Sequence, residues 1–258
     1  MNQTCAARAT DLVLTYGSYT AVAASSFEIP TGTVTAVIGP NGSGKTTVLH
    51  ALAGLVKPVS GTVEVLGLNP VKARPRVSYV LQTVAMPTGT PITVRETVAM
   101  ARYANLGLWR RSTRTDRAKV EWAINELDVS DLRGRHLGEL SGGQRQRVYM
   151  AQGIAQDHDL LLLDEPLTGL DLMSARTIDR IIHAERDNRQ TVVLTTHDLD
   201  EARAADHVLL VSGRVLASGT PNEVLTRRNL ELAYGLGALH EATHGFLDDP
   251  HRSTDHNN

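Results

Sequence analysis

The stretch TVTAVIGPNGSGKTT, residues 33–47, decides the fold. Its first six residues are apolar or β-branched and predict a buried strand over 33–38. The turn Gly39-Pro40-Asn41-Gly42 stops that strand, and a helix is expected over 44–53. Strand, glycine-rich turn and helix in this order are the context that makes G-x-x-x-x-G-K-[ST] a phosphate-binding loop. The glycines let backbone N–H groups turn inward as an anion nest. The helix N-terminus adds unsatisfied donors and positive dipole. Lys45 supplies a point charge for β- and γ-phosphate oxygens, and the Thr46 hydroxyl is a ligand for Mg²⁺. Gly39, Pro40, Asn41, Gly42, Ser43, Gly44, Lys45, Thr46 and Thr47 are therefore the first candidate site residues.

Outward from this loop, short β segments alternate with helical ones. Residues 11–16 alternate apolar and polar side chains like a half-buried strand, and 62–66 and 77–81 read as further strands. Between 91 and 156 helix formers dominate and β-branched runs disappear. Val120, Ala123, Ile124 and Leu127 fall on one helical stripe. This block, about 91–157, reads as a helical subdomain inserted between strands. Strand texture returns at 159–163, 191–195 and 207–211, the last followed by Ser212-Gly213 and a hairpin return. Strands alternating with helices predict an α/β fold with a mainly parallel sheet.

Asp164 ends the apolar run 160–163, and Glu165 follows it. A carboxylate at the C-terminal end of a buried parallel strand lies where open α/β sheets bind ligands. Asp164 is expected to hold Mg²⁺ opposite Thr46. Successive strand side chains diverge, so Glu165 points elsewhere and is placed to act as general base on a water. Leu140-Ser141-Gly142-Gly143-Gln144 starts another helix, with Ser141 and Gln144 matching a capping box. Two glycines there expose N–H groups and make a second anion site. One nucleotide does not need two such sites on one chain.

Composition excludes several classes. The chain has 258 residues, 41% hydrophobic and 21% charged, enough for a sizeable core. Aromatics are only 4%, which argues against a stacking platform for single-stranded nucleic acid. The net charge of −2 lacks the basic footprint of a nucleic-acid binder. A single cysteine, Cys5, excludes an intramolecular disulfide framework and a cysteine-rich zinc site. No segment approaches the roughly 20 apolar residues that span a bilayer, and no secretory signal is expected.

Taken together, these motifs resemble the ATP-binding subunits of ABC transporters, from about residue 11 to 225. They stand in the family's order: GPNGSGKTT (39–47), Gln82 in YVLQ, LSGGQRQR (140–147), LLLLDEP (160–166), and His197 in TTHD. Thr168-Gly169-Leu170-Asp171 matches the loop after the catalytic carboxylates, and Tyr16 in LTYG sits where the family stacks an aromatic ring on adenine. The resemblance implies a P-loop NTPase core with an added antiparallel β subdomain, spanning 1–235, and a polar tail over 236–258. It implies ATP hydrolysis with Mg²⁺. Each ATP would lie between Lys45 and its loop on one chain and Ser141, Gly142, Gly143 and Gln144 on a second copy, arranged head to tail. Gln82 would touch the Mg²⁺ or attacking water, His197 the γ-phosphate, and Asp171 would link the two sites.

The implied partners are transmembrane permease subunits and an extracytoplasmic substrate-binding protein, with no nucleic acid, and the implied place is the cytoplasmic face of the membrane. PITVRETVAMARYANLGLWRR (91–111) and the close around AYG (233–235) are similar to the zinc/manganese importer branch. YVLQ for the commoner YVPQ, MAQGIAQ for ARALA, and no proline after Asp171 depart from the family's usual pattern. The competing readings are an unfused exporter ATPase and a soluble ABC ATPase outside transport, the latter disfavoured by a single ATPase half without heptads. A permease-docking groove is expected near Gln82, Pro87, Pro91 and the apolar 92–100. The basic patch of Trp109, Arg110, Arg111, Arg114 and Arg117 reads as a solvated loop or a contact to lipid head groups. His240, His244, His251 and His256 lie in a tail expected to be disordered, with metal binding as its alternative role.

Overall fold

A computed structural model of the chain describes residues 5–82, 91–106 and 112–235. Pro87, the Trp109–Arg111 part of the basic patch and the four tail histidines lie outside the described residues. In chain order the strands and helices are β1 (Cys5–Tyr16), β2 (Tyr19–Pro30), β3 (Val34–Ile38), α1 (Lys45–Leu52), β4 (Ser60–Val65), α2 (Pro70–Ala73) and β5 (Val77–Val80). Then come α3 (Val94–Leu106), α4 (Arg114–Glu126), α5 (Gly142–Ala155), β6 (Leu160–Asp164), α6 (Leu172–Asp187), β7 (Thr191–Thr196) and α7 (Leu199–Ala204). β8 (His207–Val211), β9 (Val215–Gly219), α8 (Pro221–Val224) and α9 (Arg227–Tyr234) close the described chain.

The strands form two sheets. One has the order β5-β6-β7-β3-β8-β9, parallel except for the antiparallel β9. The other is antiparallel with the order β2-β1-β4. The α/β expectation with a mainly parallel sheet and an antiparallel part is met. β6 is the run LLLLD, buried along its whole length. A strand covered on both faces must be apolar on both. Alternation then divides it: Leu161 and Leu163 join a core with the helices α4, α5 and α6, while Leu160 and Leu162 join a second core with α1 and the antiparallel sheet.

One expected strand is extended here and one strand is new. The first strand begins at Cys5, six residues before residue 11, and β2 was not read from the sequence at all. The segment YTAVAASSFEIP is rich in small residues, so its alternation is weak until Ser25, Phe27 and Ile29, which are buried. Pairing with β1 along its length makes it a strand.

The helices α3, α4 and α5 fall between β5 and β6 in the chain. Thr113 and Asp116 form a reciprocal capping box that starts α4, and its stripe of Val120, Ala123, Ile124 and Leu127 is buried as expected. Arg102 of α3 is buried and binds Asp116 of α4 at 3.0 Å, the Ala155 carbonyl at the end of α5 at 2.9 Å, and Asp157 at 2.9 Å. One guanidinium thus fastens the helical block to the segment that enters β6.

Candidate active site

The C-terminal ends of β3, β6 and β7 lie side by side. Ile38 is level with Thr196, and Asp164 with Thr195. A cleft of about 500 Å³ opens beside this edge, lined by Tyr16, Tyr19, Ala21, residues 41–47, Gln82 and Glu165. It brings together the loop, Gln82 and Glu165, which are far apart in the chain.

The loop owes its path to glycine. A Cβ on Gly39 would stand 1.9 Å from the Val211 carbonyl oxygen. Gly44 has φ of +105°, and a Cβ there would meet the Ala21 carbonyl oxygen at 2.8 Å. α1 starts directly after Gly44 with no side chain capping its first N–H groups, which leaves them for a ligand. Lys45 is buried and donates from Nζ to the carbonyls of Gly39 at 2.9 Å and Pro40 at 3.1 Å. Burial pushes its ammonium pKa down, while the negative charges of Glu165 and Asp164 push the other way.

Asp164 is buried and accepts from the Thr46 hydroxyl at 3.1 Å and from the Thr195 hydroxyl at 2.6 Å. Glu165 has φ of +48°, a strained conformation for a residue with a Cβ. Its backbone N–H donates to the Thr195 oxygen at 2.8 Å, which anchors the strained turn. Gln82 Nε2 donates to Glu165 Oε2 at 3.0 Å. Asp164 and Glu165 point to different neighbours because β6 ends at Asp164 and the left-handed turn at Glu165 redirects the chain, rather than through strand alternation.

The residues fit a nucleoside triphosphate and Mg²⁺. The Ser43 hydroxyl lines the cleft, buried and without a hydrogen-bond partner, a donor that a phosphate oxygen would satisfy. Thr46 and Asp164 supply the hard oxygen pair that Mg²⁺ prefers beside phosphate ligands.

Other candidates lie outside the cleft lining. Ser141 and Gln144 form the reciprocal capping box at the start of α5, with bonds of 3.0 and 3.2 Å. Gly142 is exposed, and Gly143 is buried against Asp171 and Ser174. Asp171 itself caps α6, accepting from the Ser174 N–H at 2.9 Å. His197 is exposed just past β7, at the same sheet edge. Thr195, Tyr19 and His50 were missed by the sequence reading. The pair Tyr16 and Tyr19 around Gly17-Ser18 signals a hairpin that would have led to Tyr19. Nothing local marks the other two.

Comparison with known proteins agrees with this geometry. The family model described as "ABC transporter" matches residues 22–168. The chain is 37% identical over 230 residues to the chelated iron transport system membrane protein YfeB of Yersinia pestis, covering 87% of this chain and 77% of that protein. It is 35% identical over 207 residues to the manganese transport system ATP-binding protein MntA of Synechocystis, covering 79% and 80%. It is 37% identical over 226 residues to the zinc transport system ATP-binding protein TroB of Treponema pallidum, covering 87% and 85%. A solved structure of a metal-chelate type ABC transporter in an inward-facing conformation superposes with a TM-score of 0.79 at 28% identity, covering 90% of each chain. Among the described residues no helix is long and apolar enough to cross a membrane. The chain belongs to the ABC transporter family, as an ATP-binding subunit that hydrolyses ATP.

Proposed function

We propose that this chain is the ATPase subunit of an importer for a divalent metal, zinc or manganese, acting at the cytoplasmic face of a membrane through separate permease subunits. The observation that carries the reading is the likeness, over about four fifths of the chain or more, to ATP-binding proteins of manganese and zinc transport systems. An extracytoplasmic protein would deliver the metal to the permease. The metal is cargo and does not meet this chain.

The cleft supports the chemistry as follows. The phosphates of ATP would lie on the loop 39–47, with the base toward Tyr16. Mg²⁺ would be held by Thr46 and Asp164 with Gln82 nearby, and when bound it neutralises charge on the phosphoryl group. Lys45, whose ammonium donates to the Gly39 carbonyl, would place its positive charge against the β- and γ-phosphate oxygens. Glu165 takes a proton from the attacking water, and Gln82 orients the carboxylate that does so. Ser141, Gly142, Gly143 and Gln144 lie outside the cleft lining of their own chain, so they would complete the site of a second copy, an isologous two-fold arrangement. Within that arrangement His197 would reach the γ-phosphate, and Asp171 would connect the sites. Val94 and Val98 are buried in the core, so a permease segment would be received by Pro91 and the exposed residues of 92–100.

Deleting the gene and measuring cell zinc, manganese and iron in metal-poor medium tests the reading. Loss of zinc or manganese, restored by the intact gene and not by a Glu165→Gln copy, is expected. Unchanged metal content with lost export of an organic compound would replace the importer with an exporter.

A further inference from the structure

We propose that His50 is a positioning residue for nucleotide binding: it holds the Tyr16 ring at the rim of the cleft, with the Tyr16 hydroxyl donating to His50 Nδ1. The proposal rests on the reading of the cleft as the ATP site. Tyr16 closes β1 at a tight turn, paired with Tyr19 across Gly17, whose φ is +59°. It is 47% exposed, so packing alone does not fix its ring. A side chain that must be frozen on binding costs affinity, and one already held does not. The Tyr16 oxygen and His50 Nδ1 are 3.0 Å apart and share a hydrogen bond.

His50 is fixed in turn. It sits in the last turn of α1, five residues after Lys45, so the base contact and the phosphate contact are set by one short helix. Its ring meets Tyr79 edge-on, with centroids 5.9 Å apart and planes at 77°. Tyr79 belongs to β5 and packs on the apolar core shared by α1 and the antiparallel sheet. Its buried hydroxyl makes no hydrogen bond among the described residues, and burial first, then the charge of Asp164, pushes its pKa up. A line of side chains therefore runs from the rim of the cleft at Tyr16, through His50, to Tyr79 in β5.

The alternative is that His50 merely staples the β1–β2 turn onto α1. The two roles separate by ligand, because inorganic tripolyphosphate has no base to stack. Calorimetry on the full chain would compare Mg²⁺-ATP with Mg²⁺-tripolyphosphate. His50→Ala should raise the ATP Kd about fivefold, the equilibrium equivalent of ordering one free side chain on binding, and leave tripolyphosphate binding unchanged. His50→Asn places an amide oxygen near the Nδ1 position and should restore ATP affinity. Tyr16→Phe should match His50→Ala, and the double variant should be no weaker than either, since both remove the same bond. Equal loss for both ligands, or no loss for ATP, overturns the positioning role. Lys45→Ala serves as the separate control: if it binds ATP like the wild type, the cleft reading itself falls and takes this proposal with it.

Discussion

Gln82 and Glu165 meet in the cleft through a 3.0 Å bond from the glutamine amide to the carboxylate, joining the segment after β5 to the turn after β6. The carboxylate assigned as general base is thus aimed by a residue on the segment expected to face the permease. Hydrolysis and the membrane partner would communicate through this one contact.

Glu165→Gln keeps the shape of the side chain and its hydrogen bonding but cannot accept a proton. Turnover should fall by about 10² or more, while ATP binding persists because the loop and Asp164 are intact. Phosphate release and ATP binding measured on the same sample check this. In Mg²⁺-ATP the variant should also elute as a dimer, since the closed state is no longer resolved by hydrolysis. Wild-type turnover would remove Glu165 from the role.

Thr195 bridges the two carboxylate residues, donating to Asp164 at 2.6 Å and accepting from the Glu165 N–H at 2.8 Å. Thr195→Val has the same shape without the hydroxyl. It leaves the N–H of a strained turn without its partner, and the expected loss of stability is about 1–3 kcal/mol. Half-saturation by Mg²⁺ should move to higher concentration, because Asp164 loses one of its two orienting hydroxyls. Thr195→Ser should recover most of both effects. Urea unfolding and a Mg²⁺ titration of ATPase activity read them separately.

A methyl on Gly143 would stand 2.5 Å from Asp171 Oδ2 and 2.6 Å from Ser174 Oγ. Gly143→Ala must therefore displace the Asp171–Ser174 cap or push the start of α5 away from the start of α6, at a cost of about 1–3 kcal/mol. Nucleotide binding by the isolated chain should survive, because the cleft lining does not include Gly143. Turnover should be lost, since the displaced residues are those offered to the second copy. Retained turnover with unchanged stability would show that the two helix starts are not coupled.

The Arg102 guanidinium holds the Asp157 carboxyl down to about 2, against partial burial and helped by Lys119. A depressed carboxylate contributes stability above its ordinary pKa of 3.8 and loses it as pH falls through about 2. Arg102→Met also leaves the buried Asp116 without its ion pair. At neutral pH the variant should be less stable by about 3 kcal/mol. That difference should shrink as pH falls from about 4 toward 2, in urea unfolding at a series of pH values. A constant gap would mean that Arg102 acts through packing alone.

The phosphate loop was legible because its requirements are local. Inward N–H groups, a tight turn and a helix start need glycines and a lysine at fixed spacing, and no distant partner changes that. The apolar run of β6 was legible for a similar reason: a strand covered on both faces is apolar at every position. β2 was not, because Ala21, Ala23, Ala24 and Ser26 carry little signal, and its edges are defined by β1. Gly143 was read as an anion-site glycine, and the structure adds a second reason for it, the Asp171 carboxylate lying against its Cα.

By itself the sequence determined the loop and the two carboxylates, which rest on neighbours a few residues apart, and the fold class and order of motifs, which are read along the chain without knowing any contact. Only the tertiary structure decided which side chains share the cleft. Thr195 reaches Asp164 across 31 residues of chain and Tyr16 reaches His50 across 34. Such contacts are set by strand order and helix packing, and no local pattern in the chain encodes them.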